Sequence, residues 1–317
     1  MVKGLWSRRG MKKDGYSVSV IIPNFNRKGD LERLLPSIAD QSFDDYEVII
    51  VDDFSPDRAA VEYISDFIRE RKGMRLVENK ENIGFVKTCN KGIKLASSTY
   101  VCILTNDTEV ARNFIQRNVE IMDGDSSIGV LSCTVVDKDG KTWFSGGSLK
   151  GWIPAMLRDN FQGVREVDYV AGTACFYRRE VFEKVGLLNE DLVMYHEDVE
   201  FCLRVRNKTD YRTCMFADKL VTHNIGSNGL LPSRVVYYLH RNLILILRRY
   251  SPESVPKVLL IFLREVLNLI LISLLRLRPS HILLIPSIAS GTVVGLVKDW
   301  NDSTTYPNVD SSKKKLQ

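Results

Sequence analysis

Polar side chains with ligand chemistry follow three apolar runs in the first half of the chain. They are the Pro-Asn-Phe-Asn stretch at 23–26, the acids Asp52 and Asp53, and Asn106 with Asp107. A carboxylate such as Asp107 can hold a divalent cation, because hard cations prefer oxygen ligands, and such a cation can bridge two phosphates. A carboxylate such as Asp53 can accept a hydrogen bond from a nucleobase N–H. Aspartate is also common in turns, so each acid taken alone is also explained as a turn residue.

Alternating strands and helices must position these side chains. Short apolar runs rich in β-branched residues alternate with segments whose apolar residues recur every three or four positions. The predicted strands are 17–23, 47–53, 74–78 and 100–105, and the predicted helices are 30–41, 59–72 and 85–96. This alternation predicts a doubly wound, mostly parallel α/β sheet flanked by helices, in which ligands bind at the carboxyl ends of the strands. The three polar segments should therefore converge on one crevice.

The second half of the chain is more mixed. Its patterns predict strands at 128–136 and 169–178, helices at 180–185 and 196–207, and a strand followed by a loop at 219–229. From 234 to about 298, long runs of Leu and Ile predict further helices. We therefore expect four segments, which are a basic N-terminal segment at 1–16, an α/β domain at 17–233, a helical region at 234–300 and a polar basic tail at 301–317.

Composition excludes several classes of protein. Of the 317 residues, 44% are hydrophobic and 26% are charged, which excludes a disordered chain, a collagen-like repeat and a polytopic membrane protein. The sequence has no GxGxxG dinucleotide motif and no P-loop. The six cysteines form no CxxC or Cys/His pattern, which favours reduced thiols in a cytoplasmic protein. The N-terminus is basic but lacks an apolar run of signal-peptide length.

The C-terminal region predicts contact with a membrane. From position 234 onward there are 12 basic and 5 acidic residues, and basic, Leu-rich helices favour an anionic membrane surface over nucleic acid. Residues 258–275 have nearly the length of a membrane span but contain Arg264 and Glu265, and residues 279–297 are interrupted by Pro286. We expect a pair of helices at the membrane interface, and a true span and ordinary helix packing stay open as alternatives. We expect no nucleic-acid partner.

The ordered set of motifs resembles the inverting family 2 glycosyltransferases. The segments are VSVIIPNFNR, VIIVDDFSPD, NIGFVKTCNKGI and YVCILTNDTEV, followed by VAGTACFYRREVFEKVGLLNEDLVMYHEDVEFCLRV and VTHNIGS. The resemblance covers roughly 17–250, and it is greatest to the rhamnosyltransferase-like and galactofuranosyltransferase-like members. It implies a GT-A fold, a nucleoside-diphosphate sugar donor, a divalent metal (Mn²⁺ or Mg²⁺) and inversion at the anomeric carbon. UDP or dTDP is favoured over GDP as the nucleotide.

The resemblance also assigns roles to residues. The implied nucleotide-binding residues are Pro23, Phe25, Asp53, Lys87 and Asn106, and Asn82 and Gly84 lie in the same region. The implied metal ligands are Asp107 and His223. The family's DxD-type motif corresponds to Thr105-Asn106-Asp107 here, so only the second of its two acids is present. The implied general base is Asp198, and the residues implied to border the donor sugar and acceptor are Trp143, Gly172, Thr173 and Glu197.

Several of these residues have another explanation. Glu197 and Asp198 also suit a helix N-terminus, where negative charge interacts favourably with the helix dipole. Trp143 is otherwise a core residue, and His223 is otherwise a partly buried histidine bonded to the backbone. Arg241, which opens an apolar helix, is explained either by contact with a pyrophosphate or by contact with solvent or lipid headgroups.

The expected function is transfer of a sugar, with inversion, from a nucleoside-diphosphate donor to a hydroxyl of a glycan or lipid-linked glycan. We expect the protein to work peripherally at the cytoplasmic face of a membrane. The alternative is a non-catalytic nucleotide-sugar-binding or membrane scaffold protein. A nucleotidyltransferase would need a Gly-rich, basic phosphate loop after the first strand, which the stretch 23–26 lacks.

Overall fold

The computed structural model describes residues 16–224, 231–276 and 279–300. The predicted N-terminal segment up to 15, the end of the predicted loop at 225–229 and the predicted tail at 301–317 lie outside these residues.

The first half of the chain forms four parallel strands with helices between them. The strands are β1 (Val18–Asn24), β2 (Tyr46–Asp52), β3 (Met74–Glu78) and β4 (Tyr100–Leu104), and the helices are α1 (Lys28–Ala39), α2 (Arg58–Ile68) and α3 (Phe85–Leu95). The central strand β1 pairs with β2 on one side and with β4 on the other, and β2 also pairs with β3. The predicted α/β layer is confirmed, and the carboxyl ends of β1, β2 and β4 lie side by side.

The second half extends the same sheet. Its strands are β5 (Thr108–Val110), β6 (Ile128–Val136), β7 (Thr142–Phe144), β8 (Gly146–Ser148), β9 (Ala155–Leu157), β10 (Val164–Glu166), β11 (Ala174–Arg178) and β12 (Arg212–His223). Its helices are α4 (Phe114–Gly124), α5 (Arg179–Val185) and α6 (Glu197–Lys208). The strand order is β10-β12-β6-β11-β4-β1-β2-β3, and β11 runs antiparallel to both of its neighbours, β4 and β6. β8 and β9 form a separate two-stranded sheet.

The predicted strand at 169–178 is too long at its start. β11 begins at Ala174, and of the preceding residues Tyr169 makes an isolated bridge to Gly147. The backbone N–H of Gly172 donates to the carboxylate of Asp198 at 2.8 Å, so it is not available to a strand ladder. The apolar run predicts a strand from Tyr169 onward. The carboxylate of Asp198, from the helix that begins at Glu197, takes the N–H of Gly172 instead, so strand pairing begins only at Ala174.

The hydrophobic core lies between the sheet and its helices. β1, β2 and β4 are buried along nearly their whole length, which explains their β-branched, two-sided apolar sequences. Each flanking helix buries one apolar stripe, as α1 does with Leu31, Leu34, Leu35 and Ile38. This rigid layer holds the polar strand ends in place.

Three helices follow the α/β body. They are α7 (Ser233–Tyr250), α8 (Val255–Arg276) and α9 (Ile285–Val297). α7 places Leu245 and Ile246 in the main core. α9 packs closely on α7, because a Cβ atom at Gly291 would lie 2.5 Å from the carbonyl oxygen of Tyr237, and one at Gly295 would lie 2.7 Å from that of Arg241. Across the described residues, no helix combines the length and apolar character that crossing a membrane requires.

Candidate functional site

A hydrogen-bonded network joins the carboxyl ends of three neighbouring strands. Asn106, after β4, donates to Asn24 Oδ1 at 2.8 Å, and Asn24 at the end of β1 donates to Asp52 Oδ1 at 2.7 Å. Asp52, at the end of β2, accepts in turn from the backbone N–H and hydroxyl of Ser55. The polar segments predicted to converge therefore do so.

Asp53 organises the turn that begins α3. Its carboxylate accepts hydrogen bonds from the backbone N–H groups of Ile83 and Gly84, at 2.8 and 2.9 Å, and from the side chain of Asn79 at 2.9 Å. Asp53 is 4% exposed. Gly84 has φ 88° at the start of α3, a conformation that favours glycine. Asp53 thus shapes the approach to α3, a role that the sequence patterns did not assign to it.

The predicted nucleoside-side residues surround this turn. Pro23 is buried within β1, whereas Phe25, directly after the strand, is 44% exposed. Lys87 is exposed in the first turn of α3. Phe54 is a second exposed aromatic residue at this edge, with φ 60°. It was not predicted, because the prediction was based on polar side chains at the strand ends.

Asp107 and His223 lie next to each other. β12 ends at His223, which pairs in register with Thr108, and His223 Nε2 is 3.4 Å from Asp107 Oδ2. The hydroxyl of Thr105 donates to Asp107 Oδ1 at 2.8 Å. His223 and Thr105 lower the pKa of Asp107 through hydrogen bonds and charge, although burial opposes them. Asp107 is therefore held as a carboxylate.

This pair fits a divalent cation that is also bound by a substrate. His223 Nδ1 is buried and lacks a hydrogen-bond partner within the described residues, so Nε2 carries the polar contact of the ring. No cluster of three or more His, Cys, Asp or Glu side chains suited to a metal occurs in the described part of the chain. Mg²⁺ and Mn²⁺ sites at phosphates need one or two protein ligands, with substrate oxygens and water completing the shell. Asp107 and His223 can supply those two ligands.

A cavity of about 480 Å³ lies beside this pair. Six predicted site residues line it, and they are Trp143, Gly172, Thr173, Glu197, Asp198 and His223. The Trp143 ring meets the His223 ring edge-on at a centroid distance of 4.4 Å, and Trp143 both lines the cavity and packs, partly buried, against the main core. Phe85 from α3 and Thr105 also line the cavity, which connects it to the strand ends described above.

Asp198 and Glu197 form an acidic pair on one wall. α6 begins at Glu197, and the Asp198 carboxylate accepts from the backbone N–H groups of Gly172 at 2.8 Å and Val199 at 2.7 Å. A Cβ atom at position 172 would lie 3.2 Å from Glu197 Oε1. Glu197 Oε2 is buried and, among the described residues, has no hydrogen-bond donor.

Burial and mutual repulsion perturb this pair. Burial, followed by the charge of Asp198, raises the pKa of Glu197 to about 8. Burial also raises the pKa of Asp198, but its backbone hydrogen bonds oppose that effect. Because backbone N–H groups stabilise the charged form of Asp198 and none serves Glu197 Oε2, we assign the negative charge to Asp198 and the shared proton to Glu197 at neutral pH.

The structure corrects the interpretation of Arg241. Its side chain is 4% exposed and donates to Asn242 Oδ1 and to the carbonyl oxygen of Asp191, both at 2.7 Å. Contact with solvent or headgroups is therefore excluded for Arg241 in this structure. No role was predicted from the sequence for Asn242 or for residues 192–196. No local pattern indicates that α7 contacts this distant segment.

Known proteins resemble this chain in sequence and in fold. Glycosyl transferase family 2 matches residues 19–186. A putative teichuronic acid biosynthesis glycosyltransferase, TuaG of Bacillus subtilis, is 30% identical over 231 residues, which are 71% of this chain and 88% of that protein. An uncharacterized glycosyltransferase of the same organism, EpsJ, is 24% identical over 67% of this chain and 62% of its own length. The chain thus spans less than two thirds of EpsJ.

A solved structure shares the fold. GalNAc-T7 with UDP, GalNAc and Mn²⁺ superposes with a TM-score of 0.63 at 18% identity, over 75% of this chain and 50% of that one. At this identity the likeness concerns the fold alone, and it agrees with the GT-A arrangement of a mostly parallel sheet flanked by helices. Since the family match covers more than half of the 317 residues and includes β1–β4 and β11, the chain belongs to Glycosyl transferase family 2.

Proposed function

We propose that this protein transfers a sugar, with inversion, from a nucleoside-diphosphate donor to a hydroxyl of a glycan or lipid-linked glycan. The observation that carries the proposal is that Asp198 and His223 line the same cavity. Asp107 lies beside His223, with 3.4 Å between Asp107 Oδ2 and His223 Nε2. A base and a candidate metal pair thus face one space in which two substrates can meet. The resemblance to rhamnosyltransferase-like and galactofuranosyltransferase-like enzymes rests on the ordered set of motifs and stays a prediction.

The donor nucleotide binds at the carboxyl ends of β1, β2 and β4. The exposed ring of Phe25 lies at the base, Pro23 and Asn106 support it, and Asp53 offers its carboxylate to a base N–H. Exposed Lys87 and the N-terminus of α3 favour the negative charge of the diphosphate. UDP is the first candidate, because GalNAc-T7 is seen with UDP in the same fold, and dTDP is the second.

Asp107 and His223 would hold Mn²⁺ or Mg²⁺ beside the diphosphate. Such a cation, when bound, neutralises the charge that develops on the departing nucleoside diphosphate. Thr105 keeps one oxygen of Asp107 oriented by its hydrogen bond of 2.8 Å. The low pKa of Asp107 keeps the carboxylate free of a proton at neutral pH.

Asp198 takes the proton of the acceptor hydroxyl as that oxygen attacks the anomeric carbon. Its two backbone hydrogen bonds fix the carboxylate at the cavity wall, and its raised pKa makes it a stronger base than an exposed aspartate. Glu197 retains its own proton and can donate that proton in a hydrogen bond to the acceptor. Gly172 keeps the space above the pair open, since a Cβ atom there would crowd Glu197.

The acceptor lies against the aromatic wall of the cavity. Trp143 offers a ring face to a sugar, and Thr173 borders the donor side. The printed name of TuaG refers to teichuronic acid biosynthesis, which supports a glycan or lipid-linked glycan acceptor for this chain.

The C-terminal helices bring the protein to the cytoplasmic face of a membrane. Exposed leucines recur on α8 at three- and four-residue intervals, and they are Leu260, Leu263, Leu267 and Leu271. A continuous apolar stripe on a basic helical region suits insertion beside anionic headgroups. This placement would deliver a lipid-linked acceptor to the site.

A thermal-shift screen with UDP, dTDP, GDP and CDP, each with and without Mn²⁺, tests the donor site. A ligand at 100 times its Kd stabilises the folded protein by about 2.7 kcal/mol, which raises Tm measurably. We expect a Mn²⁺-dependent rise with UDP or dTDP. A rise with UDP together with an undiminished rate of transfer in the Asp198→Ala variant would contradict the catalytic assignment. No rise with any nucleotide would contradict the proposed donor site.

A further inference from the structure

The segment directly before the acidic pair has an unusual backbone. Val193, Tyr195 and His196 all have positive φ values, of 63°, 64° and 63°. Non-glycine residues, and β-branched valine above all, rarely adopt this conformation, so the surrounding structure must hold it. We call residues 192–196 the catalytic turn, because Met194, Tyr195 and His196 line the cavity and Glu197 and Asp198 follow at once.

One side chain from α7 binds most of the carbonyl groups of this turn. The Asn242 side-chain amide donates to the carbonyl oxygens of Leu192, Met194 and Tyr195, each at 2.8 Å. The carbonyl oxygen between them, that of Val193, accepts from the backbone N–H of Val86 at the start of α3. Four successive carbonyl groups are thus fixed by α7 and α3.

Further contacts hold Asn242 itself in place. The Arg241 guanidinium donates to Asn242 Oδ1 and to the carbonyl oxygen of Asp191, so the Asn242 amide cannot rotate its donor group away from the turn. Lys298, after α9, pairs with the Asp191 carboxylate at 2.9 Å. Asn242 is fully buried, and its two N–H groups serve three carbonyl oxygens, so that at least one N–H is shared between two of them.

We propose that Asn242 is a positioning residue, which holds the catalytic turn in the strained shape that presents Asp198 and Glu197 to the cavity. Asn242 touches no reacting atom and acts through the turn. The C-terminal helices would then be part of the catalytic apparatus and not simply a means of membrane attachment. The inference rests on the proposed function for its catalytic meaning, whereas the support of the turn stands on the contacts alone.

The test compares Asn242→Ala with Asn118→Ala. Asn118 is a matched control, because it is also a fully buried asparagine on a helix. It donates to one backbone carbonyl, that of Phe114 at 2.9 Å, and it does not line the cavity. Amide hydrogen exchange followed by mass spectrometry reports local opening. We expect peptides that cover 190–200 to exchange at least tenfold faster in Asn242→Ala, and to remain protected in Asn118→Ala.

A second readout separates positioning from general support. If the turn opens, water reaches the Glu197 carboxyl and its pKa moves back towards the ordinary value. The contribution of Glu197 to the pH dependence of the unfolding free energy then becomes smaller. Buried His196 in the same turn has its pKa lowered to about 4 by burial and changes stability in the opposite direction, so the contribution of Glu197 is isolated by Glu197→Gln. We expect the stabilisation by Glu197→Gln at pH 7 to fall by at least half in the Asn242→Ala background and to stay unchanged in the Asn118→Ala background. If Asn242→Ala does not fold, Asn242→Ser keeps one donor and should give a smaller change in the same direction.

Unchanged exchange at 190–200 in the folded Asn242 variants, or an undiminished stabilisation by Glu197→Gln in the Asn242→Ala background, would overturn the inference. A rise in the wild-type Tm with UDP or dTDP in the presence of Mn²⁺ is independent of these measurements. Its absence would overturn the proposed function while leaving the support of the turn intact. Its presence, with unaltered exchange in the variants, would overturn the inference alone.

Discussion

Replacing Glu197 by glutamine should stabilise the protein, and the gain should depend on pH. Glu197 is 7% exposed, and the surroundings raise its pKa from the ordinary 4.5 to about 8. The unfolded chain therefore ionises this carboxyl at neutral pH, while the folded chain keeps it protonated. A folded pKa above the unfolded one contributes stability that is fully present below pH 4.5 and is lost as the pH rises through 8.

The size of the loss follows from the two pKa values. Between pH 4.5 and pH 7 the unfolded state releases the proton over 2.5 units, and at about 1.4 kcal/mol per unit this lowers the stability by about 3 kcal/mol. Glutamine has nearly the same shape and does not ionise, so the Glu197→Gln variant avoids that loss. We expect the variant to match the wild type near pH 4.5 and to exceed it by about 3 kcal/mol at pH 7.

Urea denaturation at pH 4.5, 6 and 7, followed by tryptophan fluorescence, measures this difference. Titration of groups that do not interact with Glu197 affects both proteins alike and cancels in the comparison. Glu81→Gln is the control, because Glu81 is exposed and its substitution should shift no midpoint at any pH. A difference between Glu197→Gln and wild type that stays constant from pH 4.5 to pH 7 would refute the assignment of the proton to Glu197.

Three further predictions concern catalysis, the metal and the membrane. Asp198→Ala should lower the rate of transfer at least 100-fold, the usual contribution of a general base, while the Kd for UDP measured by calorimetry stays within a few fold; a near-normal rate would remove the base assignment. Asp107→Ala should abolish the Mn²⁺-dependent part of the thermal shift with UDP and leave the metal-independent part, and an unaltered Mn²⁺ titration would exclude Asp107 as a ligand. The double variant Leu263→Glu, Leu267→Glu should bind vesicles with 30% anionic lipid on the order of tenfold more weakly than wild type, since it loses two exposed apolar side chains on one face of α8. The control Leu95→Glu, which changes an exposed leucine at the end of α3, should bind as wild type does, and equal binding by all three proteins would exclude α8 as the membrane-binding surface.

The sequence predicted β1 to β4, β6 and the helices between β1 and β4 closely, for a physical reason, whereas α4, β5 and β7 to β10 were not predicted. β3 and β6 match their predicted bounds, and β1, β2 and β4 differ by a single residue at one or both ends. β1, β2, β4 and β6 are buried on both faces, so their sequences carry an unbroken apolar signal bounded by polar turns, whereas β3 is a partly exposed edge strand. The convergence of Asn24, Asp52 and Asn106 followed from this order, because carboxyl ends of adjacent parallel strands must lie together.

Other features depend on distant contacts that a local pattern does not record. The run from Tyr169 is apolar and β-branched, yet it is not a strand until Ala174, because Asp198 takes the N–H of Gly172. The sequence predicted that Asp53 binds the nucleotide. In the structure its carboxylate also accepts hydrogen bonds from the backbone N–H groups of Ile83 and Gly84 and so fixes that turn. In both cases the decisive partner lies about thirty residues away.

The distance along the chain between Leu192 and Asn242 has a consequence for synthesis on the ribosome. The α/β body emerges first, but the carbonyl groups of Leu192, Met194 and Tyr195 gain their α7 partner only 47 to 50 residues later. At about 5–20 residues per second, that delay is about 3–10 s, and the body of a multi-part chain generally folds before its C-terminal part arrives. Leu245 and Ile246 complete the main core in the same interval. The nascent protein would therefore hold a nearly finished sheet while its acidic pair is still unsupported, so that activity would begin only once translation has passed α7.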